Sequence, residues 1–171
     1  MEHQIQSQEQ WVLYRLEKFY SNKEHLDQVS DIINGKSNIS LRLIDWFVTN
    51  YAKKYNTSYS NKHNRHIIVY LCYKSHLKAY SKKMFDPFCR DKRIKFHDIE
   101  TTVGQLNFFE WAITDDVLNY IERNRETIHK DMETRICEKA VVDSSKKRHE
   151  LSRSATNSLK RHDVNVVIRF E

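Results

Sequence analysis

The sequence predicts an α+β fold in which helices dominate and a small sheet completes the core. Apolar residues recur at helical spacing in five segments, near 7–20, 23–33, 40–54, 102–114 and 115–136. Two runs of β-branched and aromatic residues, near 66–73 and 93–99, are typical of strands. With only 2 glycines and 1 proline, the chain lacks the turn residues that a sandwich or barrel of tight hairpins requires.

Polar residues at the ends of these segments support the helices. Asn34-Gly35 is a typical helix stop, Ser40 is a good N-cap for the third helix, and Thr101 or Thr102 caps the fourth. We expect the core to be built from apolar residues on the inner faces: Trp11, Leu16, Leu43, Phe47, Ile68, Leu71, Leu106, Phe109 and Trp111.

The strands are predicted from their apolar patterns. Residues 67–73 form a continuous apolar run, and Ile94, Phe96 and Ile99 are spaced as a second strand. The chain ends with VNVVIRFE, whose alternation predicts a possible third strand near 164–170. That strand should pair either with the sheet of this chain or with a partner's sheet.

The segment FDPFCR, residues 85–90, is predicted to be a rigid turn, because Pro87 disrupts both helices and strands. We expect Phe85 and Phe88 to anchor this turn to the core. Arg90 should point outward or pair with an acid.

Composition changes along the chain and predicts three parts. Residues 1–138 contain the large apolar residues of a single globular domain. Residues 139–162 are charged and poor in large apolar residues, which is typical of a basic linker or tail. Residues 163–171 form the C-terminal strand.

Several classes of protein are disfavoured by the residue types present. Two glycines cannot form a dinucleotide-binding or P-loop fingerprint, and no GxSxG or HExxH motif occurs. His63, His66, Cys72 and His76 are zinc-ligand types, but their spacing matches no standard zinc module. We therefore predict no enzyme, no cofactor and no metal. No apolar run is long enough for a membrane span, and three scattered cysteines favour a reducing compartment.

Positive charge is concentrated in two stretches of a protein with a formal net charge of +6. Between Lys74 and Lys95 there are eight basic and two acidic residues, and between Lys146 and Arg161 six basic and one acidic. Concentrated cations interleaved with aromatic rings favour nucleic acid. The predicted contact residues are Lys74, Lys78, Tyr80, Lys82, Lys83, Arg90, Lys92, Arg93, Lys146, Lys147, Arg148, Arg153, Lys160 and Arg161.

Three segments carry a resemblance: KAYSKKMFDPFCR at 78–90, TTVGQLNFFEWAI at 101–113 and KKRHELSRSATNSLKRHDVNVVIRFE at 146–171. Read together, they resemble an uncharacterised protein family of nucleocytoplasmic large DNA viruses of the giant-virus type. The resemblance implies a viral protein in the host cytoplasm, in a virus factory, or in the virion; the host nucleus is a further possibility. It implies no mechanism and no catalytic residues.

The sequence thus predicts a viral accessory or core protein that binds DNA or RNA through two basic stretches acting on one polyanion. The alternative is a virion structural or protein-interaction module without enzymatic activity, in which the same aromatic surfaces contact a viral or host protein. Salt dependence separates the two, because binding to phosphates weakens steeply with salt.

Overall fold

The computed structural model describes residues 8–145, which form a mostly helical α+β fold, as predicted. The helices are α1 (Gln8–Tyr20), α2 (Lys23–Ile33), α3 (Leu41–Trp46), α4 (Ala52–Lys54), α5 (Val69–Tyr80), α6 (Val103–Thr114), α7 (Val117–Arg123) and α8 (Arg125–Ser145). A π-helical segment, Phe47–Tyr51, joins α3 to α4. None of the helices within residues 8–145 is both long and apolar enough to span a membrane.

Two separate antiparallel hairpins replace the single predicted sheet. The strands β1 (Ser58–Ser60) and β2 (His66–Ile68) form the first hairpin, and β3 (Arg93–Phe96) and β4 (Ile99–Thr102) form the second. The predicted strand near 93–99 is therefore wrong in its extent, since the chain reverses at His97, whose φ is 51°. The predicted strand near 164–170 lies outside the described residues.

Side-chain caps fix where the helices begin. The Ser40 hydroxyl accepts a hydrogen bond from the Leu43 amide at 3.2 Å, and the Thr102 hydroxyl accepts one from the Gln105 amide at 3.1 Å. Both confirm the predicted N-caps, and Thr102 rather than Thr101 is the residue used in α6. Because these amides have no partner within the helix, each cap stabilises the first turn by about 1 kcal/mol.

The predicted strand at 66–73 is wrong beyond Ile68, because the chain turns helical at Val69. The partner strand β1 offers only three residues, and the Val69 amide donates to the Thr57 carbonyl at 3.1 Å to close the pairing. From there burial follows a helical period: Val69 and Tyr73, four residues apart, are buried, whereas Leu71 is 60% exposed. The helical spacing was hidden by the β-branched composition of the run.

The predicted helix at 115–136 is also wrong, since it divides into α7 and α8. Asp116 adopts a left-handed conformation with φ 57° and separates α6 from α7, and Asn124 leaves the helical region between α7 and α8. The last helix continues to Ser145, past the predicted domain boundary at residue 138. The division into three parts stays a prediction.

Most of the predicted core residues are buried: Leu16, Leu43, Phe47, Leu106, Phe109 and Trp111. Three predictions are wrong, because Trp11 is 50% exposed, Leu71 is exposed and Ile68 is only half-buried. In α1 the buried stripe is Val12, Leu16 and Tyr20, one helical position away from Trp11. In β2, alternation places Ile67 inside instead of Ile68.

The turn that contains FDPFCR is fixed to the first half of α6. Phe85 is buried and packs against Phe108 and Trp111, with ring centroids 5.3 and 5.6 Å away. The backbone around it is bound by buried amide side chains: Gln105 Nε2 donates to the Pro87 carbonyl at 2.8 Å and Asn107 Nδ2 to the Met84 carbonyl at 3.0 Å.

Gly104 permits this docking, because the Lys83 carbonyl lies against the place that a Cβ at position 104 would occupy. The Asp86 amide also donates to the Gly104 carbonyl at 3.3 Å. Backbone therefore rests directly on backbone at the start of α6, an approach that only glycine allows.

Gly104→Ala should destabilise the protein by about 1–3 kcal/mol, measured by urea unfolding. Helix propensity alone would favour alanine by up to about 1 kcal/mol, so the sign of the change tests the contact. The control is Ser75→Ala on the exposed side of α5, which should stay within about 0.5 kcal/mol of the parent. A Gly104→Ala protein as stable as the parent would contradict the docking.

Phe85→Ala and Phe88→Ala should differ in cost, because the first ring is buried and the second is half-buried beside Arg90. Thermal or urea unfolding should give a loss of about 3–5 kcal/mol for Phe85 and less than about 2 kcal/mol for Phe88. Equal losses would mean that the turn is anchored at both rings, as the sequence alone suggested.

Candidate nucleic-acid interface

Helix α5 presents an exposed stripe that contains lysine and no acid. Leu71, Lys74, Ser75 and Lys78 are exposed at helical spacing, and we call them the α5 outer face. They also line a shallow depression in the surface. None of the twelve residues of α5 is acidic, and within residues 8–145 neither Lys74 nor Lys78 has an ion-pair partner. The positive charge of this face is therefore uncompensated.

Lys53 adds a further cation beside this face. Helix α4 packs against α5, and Lys53 Nζ lies 5.6 Å from the centroid of the Tyr70 ring. Tyr70 is one turn before Lys74 and two before Lys78, so all three lie on one side of the helix. The sequence does not predict Lys53, because nothing in its neighbours shows that α4 packs beside α5.

Lys82 and Lys83 are exposed in the turn that follows α5. Ser81 ends the helix with φ 69°, and its amide donates to the Leu77 carbonyl at 3.0 Å. The turn is then held on Gly104 and Asn107 as described above. Lys92, before β3, is exposed as well. Among the residues that the structure describes, none of these three lysines has an ion-pair partner.

Arg90 and Arg93 are exposed, but each is paired within the chain. Arg90 Nε and Nη2 donate to the two Asp86 carboxylate oxygens at 2.7 and 2.8 Å, and this bonding raises the Arg90 pKa. Arg93 Nη1 donates to Glu100 Oε1 across the second hairpin at 3.0 Å. Arg90 is thus paired with an acid, as expected for the turn, and both charges are largely balanced.

Tyr80 lies in a polar network instead of on an open surface. Its hydroxyl accepts a hydrogen bond from Arg15 Nη1 at 2.6 Å, while Arg15 Nη2 binds Asn107 Oδ1 at 2.7 Å and Glu110 Oε2 at 2.9 Å. His76 stacks near Tyr80, and its Nδ1 donates to the Cys72 carbonyl at 2.8 Å. We call this group the Arg15 network; it connects α1, α5 and α6.

Burial shapes the electrostatics of the Arg15 network. Desolvation raises the pKa of Glu110, and the neighbouring Arg15 and His76 side chains oppose that rise. The sequence does not single out Arg15 or Glu110, because Arg15 contacts residues that are more than sixty positions away along the chain. A basic residue on an otherwise amphipathic helix such as α1 gives no local sign of a buried partner.

The cysteine and histidine residues near α5 are not arranged as a ligand set. Burial raises the pKa of the Cys72 thiol, and nearby Asp115 adds to the rise. Across residues 8–145, no three side chains among His, Cys, Asp and Glu are grouped closely enough to hold a metal ion. The basic residues of the second stretch, Lys146, Lys147, Arg148, Arg153, Lys160 and Arg161, lie outside the described residues.

Comparison with known proteins agrees with the resemblance seen in the sequence. The chain is 38% identical over 162 residues to the uncharacterized protein L507 of Acanthamoeba polyphaga mimivirus. The match covers 86% of this chain and 61% of the mimivirus protein, so the chain spans less than two thirds of its relative. No solved structure matches the chain significantly.

One family model matches residues 1–171, which is the whole sequence. It describes DUF7197, a family of unknown function. The mimivirus relative is consistent with a family of giant-virus proteins. The chain belongs to the DUF7197 family.

Proposed function

We propose that this protein is a viral accessory or core protein that binds DNA or RNA through the α5 outer face. The observation that carries the proposal is a helix whose exposed side holds Lys74 and Lys78 with no acid to balance them. Within residues 8–145, further lysines without an ion-pair partner lie near this helix or along the same segment: Lys53, Lys82, Lys83 and Lys92. Unbalanced lysines are what phosphate neutralisation requires.

The spacing of the lysines suits a phosphate backbone. One helical turn separates Lys74 from Lys78, a rise of about 6 Å, and Lys82 follows at the same sequence interval just past the helix end. Each lysine that contacts a phosphate releases a counterion, so log affinity should fall with log salt by about 0.7–0.9 per contact. Lysine contacts to phosphates do not distinguish one base sequence from another.

The Arg15 network and the turn on Gly104 support the proposal by fixing the end of α5. A cationic surface on an ordered backbone loses less conformational freedom on binding than a flexible one. The second basic stretch, Lys146–Arg161, would add a second attachment to the same polyanion and raise the local concentration for the first.

A protein-interaction module is the second candidate, and Leu71 is the observation that favours it. This side chain is 60% exposed at the N-terminal end of the α5 outer face, and half-buried Leu77 lines the same depression. An apolar residue among cations suits a protein partner with an apolar contact and an acidic rim. Such an interface would be weakened by Leu71→Ala and would depend less steeply on salt than contacts to phosphates.

Neither candidate assigns a chemical reaction to the chain. For the binding function we propose the host cytoplasm or the virion as the place of action, with the host nucleus as the alternative.

Replacing Lys74 and Lys78 by alanine should weaken binding to single-stranded and duplex DNA and RNA oligonucleotides, measured by fluorescence anisotropy between 50 and 200 mM salt. The slope of log affinity against log salt should decrease by about 1–2, because two phosphate contacts are lost. Both side chains are exposed and unpaired, so the fold should be unchanged.

The matched control replaces Lys18 and Lys36, which are exposed on α1 and after α2, by alanine. It removes the same net charge from another part of the surface and should leave most of the affinity and the slope in place. Equal effects of the two double variants would contradict an interface on α5. Absence of oligonucleotide binding by the parent at 50 mM salt would favour the protein-interaction candidate.

Replacing Lys146, Lys147 and Arg148 by alanine should also weaken nucleic-acid binding, but less than the α5 double variant does. The reason is that these cations act through linkage to a site that is bound first. Combining the two sets of substitutions should weaken binding and flatten its salt dependence more than either set does alone. A tail variant with a larger effect than the α5 variant would place the main interface in the second basic stretch.

A further inference from the structure

A cavity lies between the first hairpin and α7, and none of the residues that line it belongs to the α5 outer face. It measures about 380 Å³, which is within the usual range for small-molecule sites. The hairpin contributes Tyr59, Ser60, Asn61 and Lys62; the other side is formed by Asp116, Asn119, Tyr120 and Arg123. Tyr59 and Tyr120 stack with centroids 5.0 Å apart and form one apolar wall.

The charged side chains that line this cavity include more basic than acidic residues. Lys62 and Arg123 are exposed, and within residues 8–145 neither has an ion-pair partner. Asp116 is the one acidic residue that lines the cavity, and both of its oxygens are occupied. Its Oδ2 accepts from the Lys62 amide at 2.7 Å, and its Oδ1 accepts from Asn119 Nδ2 at 3.2 Å. Two cations therefore line a cavity whose one carboxylate already accepts two hydrogen bonds.

Asn61 adds an unpaired donor to the wall. Its Oδ1 accepts from the amides of His63 and Arg65, both at 3.0 Å, and so closes the hairpin loop. The residue is only 5% exposed, and its side-chain NH₂ is buried without a hydrogen-bond partner among the described residues. Buried donors are paired in most structures, so this one indicates that an acceptor belongs nearby.

The geometry points to a site for a small phosphomonoester, and we propose that this cavity binds one. A phosphate monoester carries a charge of about −1.5 to −2 at neutral pH, and it would be attracted by Lys62 and Arg123, which outnumber the one carboxylate of the cavity. Its phosphate oxygens are acceptors, which suit the hydroxyl of Ser60, an exposed residue that lines the cavity. The Tyr59–Tyr120 wall leaves an apolar side for the organic part of the ligand. This site is separate from the proposed nucleic-acid interface.

Binding of AMP, inorganic phosphate and adenosine to the full chain should be measured by isothermal titration calorimetry. AMP and phosphate should bind, whereas adenosine, which lacks the phosphate, should not. Arg123→Gln and Lys62→Gln should each weaken AMP binding about tenfold or more, because each removes a charge-assisted hydrogen bond. The control Arg42→Gln removes an exposed cation from α3 and should bind AMP like the parent.

The double variant Lys74→Ala with Lys78→Ala should also bind AMP like the parent, which separates this site from the α5 outer face. The proposal is overturned if AMP and phosphate do not bind at millimolar concentration. It is also overturned if adenosine binds as well as AMP, or if Arg123→Gln and Arg42→Gln have equal effects. Loss of AMP binding in the α5 double variant would place the ligand elsewhere. Thermal melts should confirm that all four variants are folded.

Discussion

The contact between the Lys83–Pro87 backbone and the first turns of α6 is the constraint on which the rest of the structure depends. Gly104 leaves room for the Lys83 carbonyl, and Gln105 and Asn107 bind the Pro87 and Met84 carbonyls. These buried polar groups would be costly without partners, so the turn has one favourable position. With the turn in that position, Phe85 is buried in the core, and the turn sets where α5 ends.

The Arg15 network extends the same constraint to α1. Asn107 uses its oxygen for Arg15 and its nitrogen for the Met84 carbonyl, so a single side chain links α1, α6 and the turn. Arg15 also holds Tyr80 at the end of α5. Because desolvation raises the Glu110 pKa, the ion pair with Arg15 contributes less to stability than to a defined arrangement of the three helices. Lys74 and Lys78 are thus carried by a helix whose end is fixed, which supports the proposal that its outer face binds a polyanion.

The sequence predicted the features that depend on local spacing. The fold class, most of the core and the caps at Ser40 and Thr102 follow from apolar periodicity and from side chains that bond amides nearby. Pairing of Arg90 with an acid was one of the two outcomes expected from the sequence, and Asp86 in the same turn is that acid. For the candidate interface, local charge identified Lys74, Lys78, Lys82, Lys83 and Lys92.

The remaining features depend on contacts between distant positions. The run after Ile68 is helical because β1 is too short to pair with more of it, and composition cannot show the length of a partner strand. Tyr80 was predicted to contact ligand, but Arg15 reaches it from α1. The roles proposed for Lys53, Asn61 and Arg123 follow only from the elements packed beside these residues, which the sequence does not show.

The central claim is that an ordered, lysine-bearing face of α5 contacts a polyanion. It is tested most directly by backbone amide chemical-shift mapping during titration with a single-stranded oligonucleotide at low salt. The account predicts shifts concentrated in residues 70–83 and at Lys53, which disappear as salt is raised, with little change at Lys18 and Lys36. Shifts spread evenly over the exposed lysines, or no shifts in α5 at saturating oligonucleotide, would contradict it.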